Sequence, residues 1–368
     1  MKKKNLCKTL VKTICIVLGI LILALLAYIV YLYASYYRIE DNQELVVEAP
    51  VDDTATGAAA VLATDTKYSA VTYNIGFGAY LPDYSFFMDG GTSSWAESPE
   101  TVQYAINGAG ELVKSLDPDF ALIQEIDLDA TRSYHTDEYE MLRNLLPEYT
   151  TVFAQNYDSA FLFYPFTQPH GSSRAGLGLF SKYPVSSALR RSFPISTSFS
   201  KFFDLDRCYS VSRIPVDNGR ELVIFNLHMS AYGNSDAIRK GQIEMLCNDM
   251  AKEYEAGNYV LCGGDFNHDL KASEEDAENC ESWAFPFPRT ELPEHFAFCL
   301  DLLSSEEQTA LWNSARNADM EYVPGVTYTV TLDGFIISDN IECLSYENVN
   351  TGYSYSDHDP VKVEFVLK

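Results

Sequence analysis

Positive charge is scarce in this 368-residue chain: 26 lysines and arginines stand against 52 aspartates and glutamates, a formal net charge of −26. Affinity for a polyanion comes largely from basic side chains that neutralise phosphates, so a stable nucleic-acid complex is not expected. No CxxC pair occurs among the eight cysteines, which argues against a structural zinc site. No internal repeat is visible, and that removes solenoids and arrays.

One stretch lacks charge altogether. Residues 13–37 contain no Asp, Glu, Lys or Arg, and a helix of that length, rising about 1.5 Å per residue, exceeds the roughly 30 Å hydrocarbon layer. The run is longer than the apolar core of a cleavable signal and no clean A-x-A site follows it, so an uncleaved transmembrane helix is expected. Lys2, Lys3, Lys4, Lys8 and Lys12 precede it and are expected to keep the N-terminus cytoplasmic. The expected order is a basic head (1–12), a single span (13–37), an acidic flexible stalk rich in Ala and Thr (38–66) and one extracytoplasmic domain (67–368), monomeric at the cell membrane. Cys280 and Cys299 bracket an aromatic segment; outside the cell they could form a disulfide or remain free thiols.

Short apolar runs with polar punctuation fill the exported part: YSAVTYNI, DFALIQEI, YTTVFAQN, AGLGLFSK, CYSVSRIPV, ELVIFNLHM, NYVLCGGDF, GVTYTV, LDGFIIS and VKVEFVLK. They read as strands. Helical patterns fall at 101–116, where Ala105, Ala109, Leu112, Val113 and Leu116 share a face, and at 235–255. Strands outnumber helices and many neighbours lack a helix between them, which predicts mixed sheets with helices outside.

Polar residues close several of these runs, Asn74, Glu125, His228 and Asp265 with Asn267, while Asp357 and His358 stand at the mouth of the last, 361–367. Polar groups at strand ends meet when the strands are neighbours in one sheet. Such a set suits hydrolysis of a phosphate ester. A hard divalent cation takes one or two carboxylates, for which Glu125 serves with Asn74 beside it. An imidazole fixed by a carboxylate, His358, manages the proton of the attacking water. His228 and the Asn267 amide offer donors to the phosphoryl oxygens, and Asp265 orients the water.

The ordered series TYNIG, IQEI, LGLFSKYPV, NLHMS, GGDFN, LDGFIIS and SDHDPV resembles the endonuclease/exonuclease/phosphatase superfamily, which includes deoxyribonucleases of the pancreatic type, sphingomyelinases and inositol-polyphosphate phosphatases. The resemblance implies a four-layered α/β sandwich, two mixed β-sheets flanked by helices, with the site at one end. It also implies Mg²⁺- or Mn²⁺-dependent phosphoester hydrolysis without a covalent intermediate. By the same resemblance Glu125 is the main metal ligand, with Asn74 and Asp357 on the metal side. His228 contacts the phosphate, Asp265 and Asn267 orient water and bind phosphate, and His358 is general base or phosphate donor. Asp333 in LDGFIIS falls where an acid pairs with that histidine. Arg174 is a candidate contact to substrate phosphate, or else a surface ion pair. The chain lacks the acid that some nuclease members carry shortly after the asparagine. It also shows none of the basic loops that grip a nucleic-acid backbone. A small phosphodiester or phospholipid head group is the expected substrate. An extracellular nuclease and a catalytically silent binding module are the alternatives.

Overall fold

The computed structural model describes residues 2–52, 61–231, 236–273 and 283–368, in two units, Met1–Arg38 and Ile39–Lys368. The first is a single helix, α1 (Lys2–Ser35). Its Cys7–Ser35 portion is long and apolar enough to cross a membrane, and Leu21, Leu23 and Val30 along it are exposed.

The second unit is built on sixteen described strands. In chain order they are β1 (Gln43–Glu44), β2 (Val47–Glu48), β3 (Lys67–Asn74), β4 (Phe120–Ala130), β5 (Thr150–Asp158), β6 (Ser173–Ser181), β7 (Ser187–Ser192) and β8 (Cys208–Pro215). Then follow β9 (Glu221–His228), β10 (Tyr259–Asp265), β11 (Phe296–Phe298), β12 (Ala315–Arg316), β13 (Thr329–Val330), β14 (Asp333–Ser338), β15 (Ile341–Asn348) and β16 (Val361–Leu367). One seven-stranded sheet has the order β1-β7-β8-β9-β10-β14-β11 and the other β15-β16-β3-β4-β6-β5-β2. Each contains one parallel pair, β9 with β10 and β3 with β4. Parallel neighbours require a crossover, and the two crossovers carry α4 (Asp236–Glu255) and α2 (Pro99–Leu116).

Strand alternation distributes the apolar residues over the layers. In β4, Phe120 and Leu122 join a core shared with Phe225 and Leu261 of the other sheet. Their neighbours Ala121 and Ile123 face the opposite way, against Val102, Ile106 and Ala109 of α2 and Leu142 of α3 (Glu138–Leu145). Each large side chain so buried contributes about 1.5–3 kcal/mol. Helix α2 begins where its sequence says: Ser98 caps it by accepting from the Thr101 N–H, with Pro99 in the first turn. Two mixed sheets with helices outside are thus the expected architecture.

Part of the expected stalk belongs to the domain. Gln43 and Glu44 pair with Arg190 and Leu189, and Val47 and Glu48 pair with Val152 and Thr151, so residues 39–52 cover an edge of each sheet. Residues 53–60 of that stretch lie outside the described residues. GVTYTV forms only the two-residue β13. The proposed partner Cys280 also lies outside the described residues, while Cys299 is a buried free thiol.

Candidate active site

Strand register brings the predicted residues together. His228 on β9 is paired with Asp265 on β10, and Asp265 with Asp333 on β14. Across the sandwich, Asn74 on β3 is paired with Gln124, beside Glu125. Two local distortions aim the carboxylates. The β4–β6 register slips between Ile123 and Ile126, and Glu125 there takes a left-handed φ of +56°, a bulge that turns its side chain into the cleft. At Gly264, φ +146°, a Cβ would lie 2.1 Å from the Leu227 carbonyl oxygen, so glycine lets β10 close on β9.

The cleft, about 380 Å³, is lined by Glu125, His228, Asp265, Asn267, Asp357 and His358 among others. The Asn74 amide nitrogen donates to Glu125 Oε1 and to Asp265 Oδ2, both at 3.1 Å, while its carbonyl oxygen accepts from Gly76 N–H. Asn74 therefore bridges the two acids through its nitrogen. His228 Nε2 lies 3.5 Å from Asp265 Oδ2 and 3.9 Å from Glu125 Oε1. Asp265 Oδ1 accepts from the Asn267 backbone N–H at 2.8 Å, and the Asn267 amide donates to Met229 O. Beneath them His358 Nδ1 is 2.7 Å from Asp333 Oδ2, which also accepts from the Ser314 hydroxyl. That leaves His358 Nε2 facing Asp265 Oδ2 at 3.8 Å.

Burial and neighbouring charge set the ionisation of this floor. Burial pushes the Asp265 carboxyl up to about 7, with His358 opposing and Asp333 adding to the rise. Burial likewise raises Asp357 to about 6, against the charges of His358 and Arg316. Burial acts to lower His358, but the charge and hydrogen bond of Asp333, together with Asp265 and Asp357, outweigh it and hold the imidazolium well above its ordinary value. His228 is driven well below its ordinary value, by burial first and then by the charges of Arg207 and His358.

The donor chemistry fits a hard cation. Glu125, Asp265 and Asp357 line the cleft together and supply the carboxylate oxygens such an ion takes. Asp265, Asp333 and His358 also bring one ligand atom each within 4.8 Å of one another. Asp333 Oδ2 is already engaged by His358 and Ser314, and the two oxygens of Asp265 by Asn267 and Asn74, which leaves Glu125 and Asp357 as the freer acids.

Of the two readings of Arg174, the structure shows the surface ion pair. It pairs with Asp129 at 3.1 Å on an exposed surface, whereas Ala175 lines the cleft, because adjacent strand residues point to opposite faces. Arg239 stacks 4.5 Å above the Phe285 ring, and Gln242 braces the turn after His228 by accepting from Ser230 N–H and donating to Pro194 O. Among the lining residues not anticipated are the polar Arg132, Asn156, Arg207 and Arg316. Nothing in their local sequence marks them, since their roles depend on which partners surround them in the fold.

Known proteins match this arrangement. The profile of the Endonuclease/Exonuclease/phosphatase family matches residues 71–303. No relative matches among curated proteins. Among solved structures, an endonuclease/exonuclease/phosphatase from Beutenbergia cavernae superposes with a TM-score of 0.54 at 15% identity, covering 82% of this chain and 72% of that one. Danio rerio TDP2, complexed with a single-strand DNA product, gives 0.54 at 14%, covering 82% and 99%. ANGEL2, a 2′,3′-cyclic phosphatase in complex with adenosine-2′,3′-vanadate, gives 0.56 at 12%, covering 82% and 96%. At such identities the likeness is one of fold, and the matched profile over most of the chain carries the assignment: this chain belongs to the endonuclease/exonuclease/phosphatase family.

Proposed function

We propose that the domain hydrolyses phosphoesters by in-line attack of water on phosphorus, tethered to the cell membrane by α1 and facing outward. The observation that carries this reading is the stack Asp333–His358–Asp265, with contacts of 2.7 and 3.8 Å, opening on the same cleft as Glu125 and His228. A divalent cation, Mg²⁺ or Mn²⁺, would be held by Glu125 and Asp357 with Asn74 beside them, and when bound would neutralise phosphoryl charge and polarise water.

The chain's own residues do the rest. Asp333 accepts a hydrogen bond from His358 Nδ1–H, which orients the ring and stabilises its protonated form, so that Nε2–H is aimed to donate to a phosphoryl oxygen. Asp265 is aligned by the Asn267 N–H and the Asn74 amide and is the acceptor placed for the proton of the attacking water. His228, kept neutral, contributes a hydrogen bond from Nε2. The acidic balance of the chain, −26 overall, supports a small substrate over a long polyanion. The 2′,3′-cyclic phosphatase activity named for ANGEL2 and the DNA product bound to TDP2 fall within the same reaction class.

The test is turnover of bis-p-nitrophenyl phosphate by the full chain in detergent, with Mg²⁺ or Mn²⁺ and with chelator. Metal-dependent release that Glu125→Gln abolishes is expected. No release from this ester, plasmid DNA or sphingomyelin would overturn hydrolysis in favour of a binding module.

A further inference from the structure

One wall of the cleft holds polar groups that the catalytic reading leaves unused. Arg207, which immediately precedes β8, is 7% exposed, and its Nε and Nη1 have no hydrogen-bond partner among the described residues. Asn156, near the end of β5, is 1% exposed, and neither its amide nitrogen nor its carbonyl oxygen has a partner. Both residues line the cleft that contains the catalytic floor. The Arg207 charge is felt at His228, where it is the largest charge effect after burial.

Buried polar groups are paired as a rule, and a buried cation without partners is costly. The other two arginines of the cleft are largely paired, although Arg316 Nε is also without a partner among the described residues. Arg132 is spent on Asp127, with Nη2 at 2.8 Å and Nε at 3.1 Å. Arg316 donates to the carbonyls of Asn317, Tyr80 and Leu81. Arg207 alone of the three keeps two buried donors without partners among the described residues, on the wall opposite a carboxylate-rich floor.

We infer that Arg207 and Asn156 form a second anion subsite, which selects phosphoesters whose leaving or retained group carries a further phosphate. The guanidinium supplies charge and directed donors to that phosphate. The Asn156 amide supplies a donor to an oxygen and an acceptor for a hydroxyl beside it. The scissile phosphate sits over the floor and the second against the wall, where a bisphosphate gains a contact that a monophosphate cannot make. This inference names the substrate class for the hydrolysis proposed above and rests on that reading.

The experiment compares thymidine 5′-(p-nitrophenyl phosphate) with its 3′-phosphorylated counterpart as substrates of the full chain in detergent. The wild type is expected to prefer the doubly phosphorylated ester by about tenfold or more in kcat/KM. Arg207→Ala and Asn156→Ala are expected to erase that ratio, and Arg207→Lys to restore part of it. Calorimetric binding of the products, thymidine 3′,5′-bisphosphate against the 5′-monophosphate, reads the subsite without turnover. Tighter wild-type binding of the bisphosphate that Arg207→Ala removes supports the subsite even if neither ester is hydrolysed, in which case the hydrolytic reading fails alone. Hydrolysis without preference, or an equal fall on both esters in Arg207→Ala, overturns the subsite and leaves hydrolysis standing.

Discussion

Arg190 and Arg207 are both buried, one on β7 and the other just before β8, the strand paired with it, yet they are opposites. Arg190, on β7, is fully enclosed and saturated: it donates to the carbonyls of Gln155, Glu40 and Asp206 and to the Ser192 hydroxyl. Through Glu40 it ties the segment entering the domain to the sheet. Arg207, across the ladder, leaves Nε and Nη1 unpartnered. A guanidinium saturated by backbone is part of the architecture, because removing it orphans several buried carbonyls at once. One left unsaturated in a cleft has given up stability for something from outside.

The cleft floor extends the comparison, since its acids and imidazoles are arranged for function at some cost in charge. His358→Ala should give the largest effect, a fall in turnover of about a thousandfold with the unfolding midpoint little changed; retained turnover would remove His358 from the mechanism. Asp333→Asn should cost roughly 10–100-fold, the range for a group that orients another, and should change kcat more than KM. Arg190→Met should instead cost about 3 kcal/mol of stability by denaturant titration, as an orphaned cluster of acceptors does, with the substrate ratio intact in the folded fraction. Arg207→Met should leave stability unchanged or raise it. If the two arginine variants are destabilised alike, the contrast between them is broken.

The same distinction explains what the sequence could reveal. Asn74, Glu125, His228 and Asp265 fall at or near the ends of apolar runs and His358 just before one, so their convergence is readable once those runs are placed in neighbouring strands. Even Asp333, buried below them, follows from the motif that carries it. What no local pattern encodes is satisfaction. Whether Arg207 is paired depends on β5, β8 and the loops around them, and Arg174 looked equally eligible until alternation along β6 turned it to the surface. Strands β1 and β2 were illegible for another reason: each is two residues long, and pairing to a sheet edge, not periodicity, creates them. Strand β15 is largely exposed and polar, which hides its alternation.

Two histidines offer the finest version of the contrast. His268 has Nδ1 2.6 Å from Phe266 O, whereas His170 keeps a buried Nδ1 without a partner. Burial depresses both, His268 to about 4 and His170, where the Arg132 charge adds to burial, to about 3. Above about pH 6.5 each is neutral in folded and unfolded chain alike, and neither affects the pH dependence of stability. Below that the unfolded chain binds more protons, so stability falls with falling pH by up to about 1.4 kcal/mol per unit for each histidine. The decline due to His268 ends near its folded value of about 4, and that due to His170 continues to about 3. Urea titrations from pH 7 to pH 4 should therefore show a shallower slope in His170→Gln and in His268→Gln than in the wild type. Only His268→Gln should also lose about 1 kcal/mol at pH 7, through the missing bond to Phe266. A wild-type slope in His170→Gln would mean that the ring is already solvated or charged in the fold.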